Sequence, residues 1–98
     1  MLYKYLLELG YNKQEIELII NKNLLFSYDD ETLYKKFKSN YEYLLNIGYS
    51  KNDLRKITFT GIFVYNVASI ERKINYFINL GYSLDELKKM SLKHLAIF

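Results

Sequence analysis

The sequence predicts an all-α fold: a short solenoid of paired helices in a single small domain. Three observations lead to it. A glycine-tyrosine corner occurs three times, apolar residues recur at helical spacing on both sides of each corner, and none of the 98 residues is proline. The absence of proline favours long helices with breaks at glycine. A repeat of about 30 to 40 residues built from helix pairs is typical of α-solenoids.

The corner motif itself predicts where helices end and begin. It reads LELGYNKQEI at 7–16, LNIGYSKNDL at 45–54 and INLGYSLDEL at 78–87. Glycine adopts the left-handed conformation that ends a helix, and the apolar residue after it packs back on the last turn. Asn or Ser then caps the next helix, and an acidic residue three positions later completes a capping box. We therefore expect corners at Gly10, Gly48 and Gly81.

Each corner is followed by a helix, here called helix A, whose apolar residues are three apart. These residues are Ile16 and Ile19, Leu54 and Ile57, and Leu87 and Met90. An apolar cluster follows each helix A, at 24–26, 62–64 and 95–97. The clusters are too short for helices, so each is predicted to form one tight turn of 3₁₀ type.

A second helix, here called helix B, returns from each cluster to the next corner. In the middle unit it is expected to begin near Asn66, with an apolar stripe of Ile70, Ile74, Phe77 and Ile78. In the first unit it is expected to begin near Asp29 or Asp30, with a stripe of Leu33, Phe37, Tyr41 and Leu44. The corner glycines are 38 and then 33 residues apart. The first unit therefore has about five extra residues, which predict a helix B longer by a turn or slightly more.

These units divide the single domain, residues 1–98, into four parts. A half-repeat helix occupies 1–9, the first repeat 10–47, the second repeat 48–80 and a partial third repeat 81–98. Isolated helix pairs cannot bury their apolar faces, so we expect stacking between units to stabilise the array.

The stretch GIFVYNVASIERKINYFINLGYSLDELKKM, at 61–90, resembles the helical repeat of the mitochondrial transcription termination factor (mTERF) family. That repeat pairs an LGxSxxD/EI helix start with a PxLL turn and a helix that ends in KxxFL. The matching residues are Leu80, Gly81, Ser83, Glu86 and Leu87, with Ile62, Phe63, Lys73, Tyr76 and Phe77. The turn proline of the family is absent, and Asn23, Gly61 and His94 stand in its place.

The resemblance extends over nearly the whole chain. It implies a right-handed type of α-solenoid made of helix–turn–helix repeats, and a short member with about two full repeats and half-repeats at both ends. Family members bind duplex DNA or RNA in a basic groove, which implies a role in transcription or RNA regulation. Solenoids of this type also serve as protein-binding surfaces.

Basic residues recur at fixed distances from the corner glycines. The residues eight positions after the three glycines are Leu18, Lys56 and Lys89. The residues twelve positions after them are Lys22, Thr60 and Lys93, and those seven positions after them are Glu17, Arg55 and Lys88. Stacked A helices would align Lys22, Lys56, Lys89 and Lys93 in a column that can contact phosphates. The predicted nucleic-acid-binding residues are therefore Lys22, Arg55, Lys56, Lys88, Lys89 and Lys93. A solvated helix face is the alternative interpretation.

Helix B carries a second basic cluster that is open to the same two interpretations. It comprises Lys35, Lys36, Lys38, Arg72 and Lys73. The tyrosines also have two interpretations, since exposed rings can stack on the bases of single strands. Packing beside the glycine explains Tyr11, Tyr49 and Tyr82 more simply, whereas Tyr3, Tyr34, Tyr43 and Tyr65 are less constrained.

The sequence offers little for catalysis. His94 is the single histidine, and a structural or solvent-exposed role is expected for it. The acidic run at 29–31 could bind a metal, but acidic residues are also favoured in the first turn of a helix. The chain has no P-loop, paired histidine ligands or nucleophile elbow. We therefore expect a protein that is not an enzyme and has no cofactor or metal.

The predicted function is a non-enzymatic nucleic-acid-binding module that contacts backbone phosphates through the basic column. The alternative is a protein-interaction module that binds a protein in the groove or at an apolar open end. The net charge of +3 permits the first without requiring it. The apolar ends, MLYKYLL and HLAIF, predict self-association through an end of the solenoid. Without cysteine, an intracellular, cytoplasmic location is expected, and no apolar run is long enough for a membrane span.

Overall fold

A computed structural model describes residues 1–23, 29–57 and 66–93 of the chain. These residues form six helices and no strand, so the all-α prediction is confirmed. The helices are α1 (Leu2–Glu8), α2 (Lys13–Asn23), α3 (Asp30–Asn46), α4 (Lys51–Ile57), α5 (Val67–Asn79) and α6 (Leu84–Lys93). Of the helices described, none has the length and apolar character that crossing a bilayer requires.

The three glycine corners have the predicted geometry. The φ angles of Gly10, Gly48 and Gly81 are +97°, +118° and +103°. At the first corner the Tyr11 amide donates to the Leu6 carbonyl at 3.1 Å and the Gly10 amide to the Leu7 carbonyl at 3.0 Å. This pair of bonds is the Schellman motif, and the second and third corners repeat it.

A reciprocal capping box begins each helix A. The Asp53 amide donates to the Ser50 hydroxyl at 3.0 Å, and the Ser50 amide donates to the Asp53 carboxylate at 3.1 Å. The same two bonds join Asn12 to Glu15 and Ser83 to Glu86. Each box satisfies two amides that would otherwise lack a partner at the helix start, and the predicted caps are confirmed.

The B helices also begin where the sequence predicts. Asp29 caps α3 by accepting a bond from the Thr32 amide at 2.7 Å, and Asn66 caps α5. Helix α3 has 17 residues and α5 has 13, a difference of four residues. This difference is about one turn, which confirms that the extra residues of the first unit lengthen its helix B.

The helices pack as three pairs in sequence order: α1 with α2, α3 with α4 and α5 with α6. Between pairs, α3 contacts both α1 and α5, and α4 contacts α6. The molecule is elongated, with extents of 39 × 24 × 21 Å. The central helix α3 therefore supplies much of the core, and all four of its predicted stripe residues are buried: Leu33, Phe37, Tyr41 and Leu44.

The predicted core needs correction at its C-terminal side. Ile70 and Ile74 of α5 are buried, but Phe77 is only half-buried and Ile78 is 40% exposed. Met90 of α6 is likewise half-buried. The stripe is incomplete because α5 and α6 form the last described pair, and no further described pair packs against them. The predicted turns at 24–26, 62–64 and 95–97, with Gly61 and His94, lie outside the described residues.

Replacing Gly48 with Ala should lower the free energy of unfolding by roughly 1 kcal/mol. A methyl group built on Gly48 has no heavy atom within 4 Å, so the cost comes from the backbone angle and not from a clash. Gly48→Asn is the control, because Asn tolerates positive φ better than Ala does and should lose less. Urea denaturation measures both, and an unchanged stability of Gly48→Ala would contradict the corner geometry.

Candidate interaction surfaces

The first contact between helix pairs joins α4 to the first corner. One terminal nitrogen of the Arg55 guanidinium lies 2.7 and 2.8 Å from the two carboxylate oxygens of Glu15. The guanidinium carbon also lies 4.9 Å from the centre of the Tyr11 ring, within the range of a cation–π contact. Arg55 therefore bridges two helix pairs and helps to cover Tyr11, which is only 4% exposed.

The second contact joins α6 to the second corner in the same way. The Lys88 ammonium donates to the Gly48 carbonyl at 2.9 Å and lies 3.9 Å from the Asp53 carboxylate. The Tyr49 hydroxyl bonds to the Ser91 hydroxyl, whose own hydrogen goes to the Lys88 carbonyl, so Tyr49 is the donor. Tyr49 is consequently 4% exposed, as Tyr11 is.

These two contacts follow one rule, here called the inter-pair contact. A basic residue seven positions after one corner glycine reaches the acidic residue five positions after the preceding one. The basic residue is Arg55 in one case and Lys88 in the other. Sequence reasoning missed this pairing, although the aligned corners contain the signal. An acidic residue stands five positions after every corner glycine, and a basic residue stands seven positions after the second and third.

The predicted nucleic-acid-binding residues consequently divide into two groups. Arg55 and Lys88 have ion-pair partners within the chain. Lys56, Lys89 and Lys93 are exposed on α4 and α6. Lys22 is in α2, and its side chain lies outside the described part of the structure. Phosphate binding by the six predicted residues stays a prediction.

The second basic cluster, on α3 and α5, is partly engaged within its own helices. The Lys35 ammonium lies 3.1 Å from the Glu31 carboxylate one turn away. The Lys38 ammonium lies over the Tyr34 ring, 5.7 Å from its centre, and the Arg72 guanidinium bonds to the Ser69 hydroxyl at 3.3 Å. These local pairs on exposed helix faces fit the interpretation of a solvated surface.

The third corner has the same motif as the first two, but its apolar side chains are more exposed. Tyr82, equivalent to Tyr11 and Tyr49, is 38% exposed. Leu80 is 59% exposed, whereas Leu9 and Ile47, the residues before the other two glycines, pack against the core. The side chains that cover the earlier corners come from the following helix pair. The third corner has no following pair among the described residues.

Two further apolar side chains extend this exposed region. Tyr76 is 61% exposed, although the equivalent Tyr5 and Tyr43 are half-buried. Tyr5 owes its burial to the next helix B, where its ring meets those of Tyr34, Phe37 and Tyr41 edge to face. Leu84, also exposed, stands where the other A helices begin with Lys13 and Lys51.

A shallow cleft at the third corner is lined by Leu80, Gly81, Tyr82 and Glu86. At the second corner, the corresponding glycine and acidic residue receive Lys88. Among the side chains that the structure describes, no basic one forms an ion pair with Glu86. We call this surface the open end; it comprises Tyr76, Leu80, Gly81, Tyr82, Leu84 and Glu86.

The acidic run at 29–31 acts at the start of α3. Hydrogen bonds from the side chain and amide of Thr32 hold the pKa of Asp29 below its usual value, as expected of a capping carboxylate. Asp30 pairs with the terminal ammonium of Met1 at 2.6 Å, and Glu31 pairs with Lys35. The capping interpretation is confirmed for Asp29, and the described residues contain no cluster of three potential metal ligands.

The capping carboxylate of the second corner should make stability depend on pH. A bond from the Ser50 amide lowers the pKa of Asp53 below its usual value, and the nearby Lys88 and Lys56 charges add to the effect. A lowered folded-state pKa stabilises the protein above the unfolded value, and this stabilisation is lost as pH falls through the folded pKa. The melting temperature of Asp53→Asn should therefore be lower than that of the natural chain at pH 7, and the gap should narrow below about pH 4.

Asp85→Asn is the control for this pH series, since Asp85 is an exposed first-turn residue outside the capping box. Its melting temperature should stay close to that of the natural chain at both pH values. A gap for Asp53→Asn that is as wide at pH 2.5 as at pH 7 would contradict the assigned role of Asp53.

Comparisons of the chain with protein-family models, curated proteins and solved structures found no match.

Proposed function

We propose that the chain is a protein-binding module, a short α-solenoid of mTERF-like repeats that binds a protein partner through its open end. The three helix pairs and the repeated inter-pair contact support a solenoid arrangement. In such arrays each unit contacts only its neighbours, so a helix pair with no described neighbour on one side keeps a face there that can receive another helix. The open end has this position in the molecule.

The observation that carries the proposal is the exposure of Tyr82. The same residue at the same place in the corner is 4% exposed twice and 38% exposed the third time. At the third corner this aromatic ring lines one cleft with Leu80, and Tyr76, four residues before Leu80, is exposed as well. Contiguous exposed apolar residues with a polar rim are typical of protein interaction sites, and aromatic rings contribute much of the binding energy there.

Site-specific photo-crosslinking in cells tests the proposal. We would place a photoreactive phenylalanine analogue at Tyr82, and in a second protein at Tyr3. The two side chains are similarly exposed, at 38% and 41%, but Tyr3 is in α1 at the opposite side of the array. Crosslinked protein bands are expected from position 82 and not from position 3, and they should disappear when Leu80→Asp is added.

The two control outcomes separate specific binding from chance collisions. Equal crosslinking from both positions would indicate adventitious contacts, and no protein crosslinks from position 82 would overturn the proposal. Crosslinks that nuclease digestion removes would instead favour a nucleic-acid partner.

A second candidate function is nucleic-acid binding, favoured by the exposure of Lys56, Lys89 and Lys93 on successive A helices. These three lysines could contact backbone phosphates of DNA or RNA. Because each neutralised phosphate releases counterions, three contacts predict a slope near −3 in a log–log plot of affinity against salt for duplex DNA.

The double substitution Lys56→Ala with Lys89→Ala tests this candidate. It should weaken binding to all sequences and flatten the slope by about 1 to 2, since phosphate contacts do not distinguish bases. Lys35→Ala with Lys36→Ala on helix B is the control and should have less effect. Fluorescence anisotropy at low salt, with duplexes and single strands of DNA and RNA, measures both. Absence of binding to all four would exclude this candidate.

A further inference from the structure

We infer that the open end is a receptor for a partner helix that presents a lysine or arginine beside an apolar face. The inference rests on the proposed function and specifies the chemistry of the partner. The carboxylate of Glu86 and the backbone of Gly81 would receive the cation, and Tyr82, Leu80 and Tyr76 would pack against the apolar face of the helix.

The molecule shows twice how such a cation is received. At the first corner a guanidinium meets the Glu15 carboxylate and the Tyr11 ring, and at the second an ammonium meets Asp53 and the Gly48 carbonyl. The third corner has the same three elements: a glycine with positive φ, the tyrosine after it and a carboxylate held by the capping box. Because the capping box fixes Glu86, its charge is already in position before a partner binds.

The incoming helices also define what the partner must look like. In α4 the buried Leu54 precedes Arg55, and in α6 the buried Leu87 precedes Lys88. A small or apolar residue three positions after the cation continues the buried face, as Ser91 does in α6. The partner helix is thus expected to carry an apolar residue followed directly by Lys or Arg, at the place where the helix meets the third corner.

A second copy of this chain, stacked in register on the open end, does not present the required charge. In the first unit, Glu17 stands at the position of Arg55 and Lys88. Stacking of one copy on another in register would place Glu17 of the first unit beside Glu86, and like charges brought together at an interface disfavour the contact. The charge pattern therefore favours a different protein over head-to-tail assembly.

Binding of a defined peptide to the full chain tests the inference. The probe is a labelled peptide of residues 66–93, which in the molecule itself covers Tyr49 and brings Lys88 to Asp53. At trace concentration it should bind the full chain, and peptide Lys88→Glu should bind about ten-fold more weakly. In the full chain, Glu86→Gln retains an oxygen for the capping box but removes the charge, and it should also weaken binding.

A charge exchange identifies the pair directly. Full chain Glu86→Lys should bind the natural peptide poorly and the Lys88→Glu peptide better, which a general loss of folding would not produce. Tyr82→Ala should weaken both peptides. Circular dichroism of each full-chain variant confirms that it remains helical.

Three results would overturn the inference, and they are distinct from failure of the proposed function. Equal binding of both peptides, still weakened by Tyr82→Ala, would show that the open end binds the peptide through its apolar residues and does not recognise the cation. No binding of the natural peptide at its highest soluble concentration would show that the open end does not bind such a helix. Crosslinking at position 82 reports independently whether a protein binds there. Sedimentation showing chains that grow with concentration would make a second copy the occupant.

Discussion

The Tyr49→Ala variant is expected to unfold with a free energy about 3 to 5 kcal/mol below that of the natural chain. The Tyr49 ring is buried at the junction of the second and third helix pairs, and its hydroxyl donates to Ser91. Removing the ring leaves a cavity between α4 and α6 and breaks that bond. Domains of this size are stable by about 5 to 15 kcal/mol, so the loss is a large share of the total.

Tyr82→Ala is the matched control, because Tyr82 also follows a corner glycine and precedes a capping box of a serine and an acidic residue. Tyr82 is largely uncovered, although its ring meets that of Phe77 at 5.9 Å. Its loss should cost about 1 kcal/mol or less. Urea denaturation followed by circular dichroism compares the two. If Tyr49→Ala does not fold, Tyr49→Phe should still lose about 1 kcal/mol through the missing hydrogen bond. Equal losses at the two positions would contradict the difference in burial.

The local structure was largely predictable from the sequence. A glycine followed by an apolar residue specifies the end of a helix, and a capping residue three positions before an acidic residue specifies the start of one. Both signals depend on only a few neighbouring residues. The corners at Gly10, Gly48 and Gly81 and the start of α3 after Asp29 therefore appear where predicted. The length difference between α3 and α5 followed from the spacing of the glycines.

The contacts between helix pairs were not predicted, since they join residues 40 positions apart. The rotation of one helix pair against the next decides whether a basic residue faces solvent or the preceding unit. A helical offset places Arg55 and Lys56 on different sides of α4 but does not say which side meets α2. In the structure Arg55 takes the inner position and Lys56 is exposed.

The exposure of the open end has a similar cause. Tyr11, Tyr49 and Tyr82 each follow a corner glycine and precede a capping box, so this local pattern predicts the same packing for all three. At the first two corners, side chains of the next helix pair contribute to this burial, since Arg55 lies over Tyr11 and Ser91 bonds to Tyr49. Which residues remain uncovered at the last described pair depends on how the helix pairs pack, and a local pattern does not specify that packing.

The central pair provides the second large effect. Phe37 of α3 is fully buried, with the Tyr5 ring edge-on at 6.1 Å and the Tyr41 ring stacked at 6.1 Å. Phe37→Ala should lower the free energy of unfolding by about 3 to 5 kcal/mol, because the cavity opens between α1 and α3 in a close-packed aromatic group. Phe37→Leu keeps most of the volume and should lose less than about 1.5 kcal/mol.

The number of unfolding transitions of Phe37→Ala is as informative as the decrease in its free energy of unfolding. Helix α3 contacts both α1 and α5, so damage at Phe37 should destabilise all three helix pairs and not one pair alone. Circular dichroism and tyrosine fluorescence should then report one coincident transition in urea, with a lower midpoint and an unchanged slope. Two separate transitions in Phe37→Ala would show that the third pair folds without the first. In that case the inter-pair contact through Lys88 would couple the pairs less strongly than its geometry indicates, and the open end could not rely on a rigid array behind it.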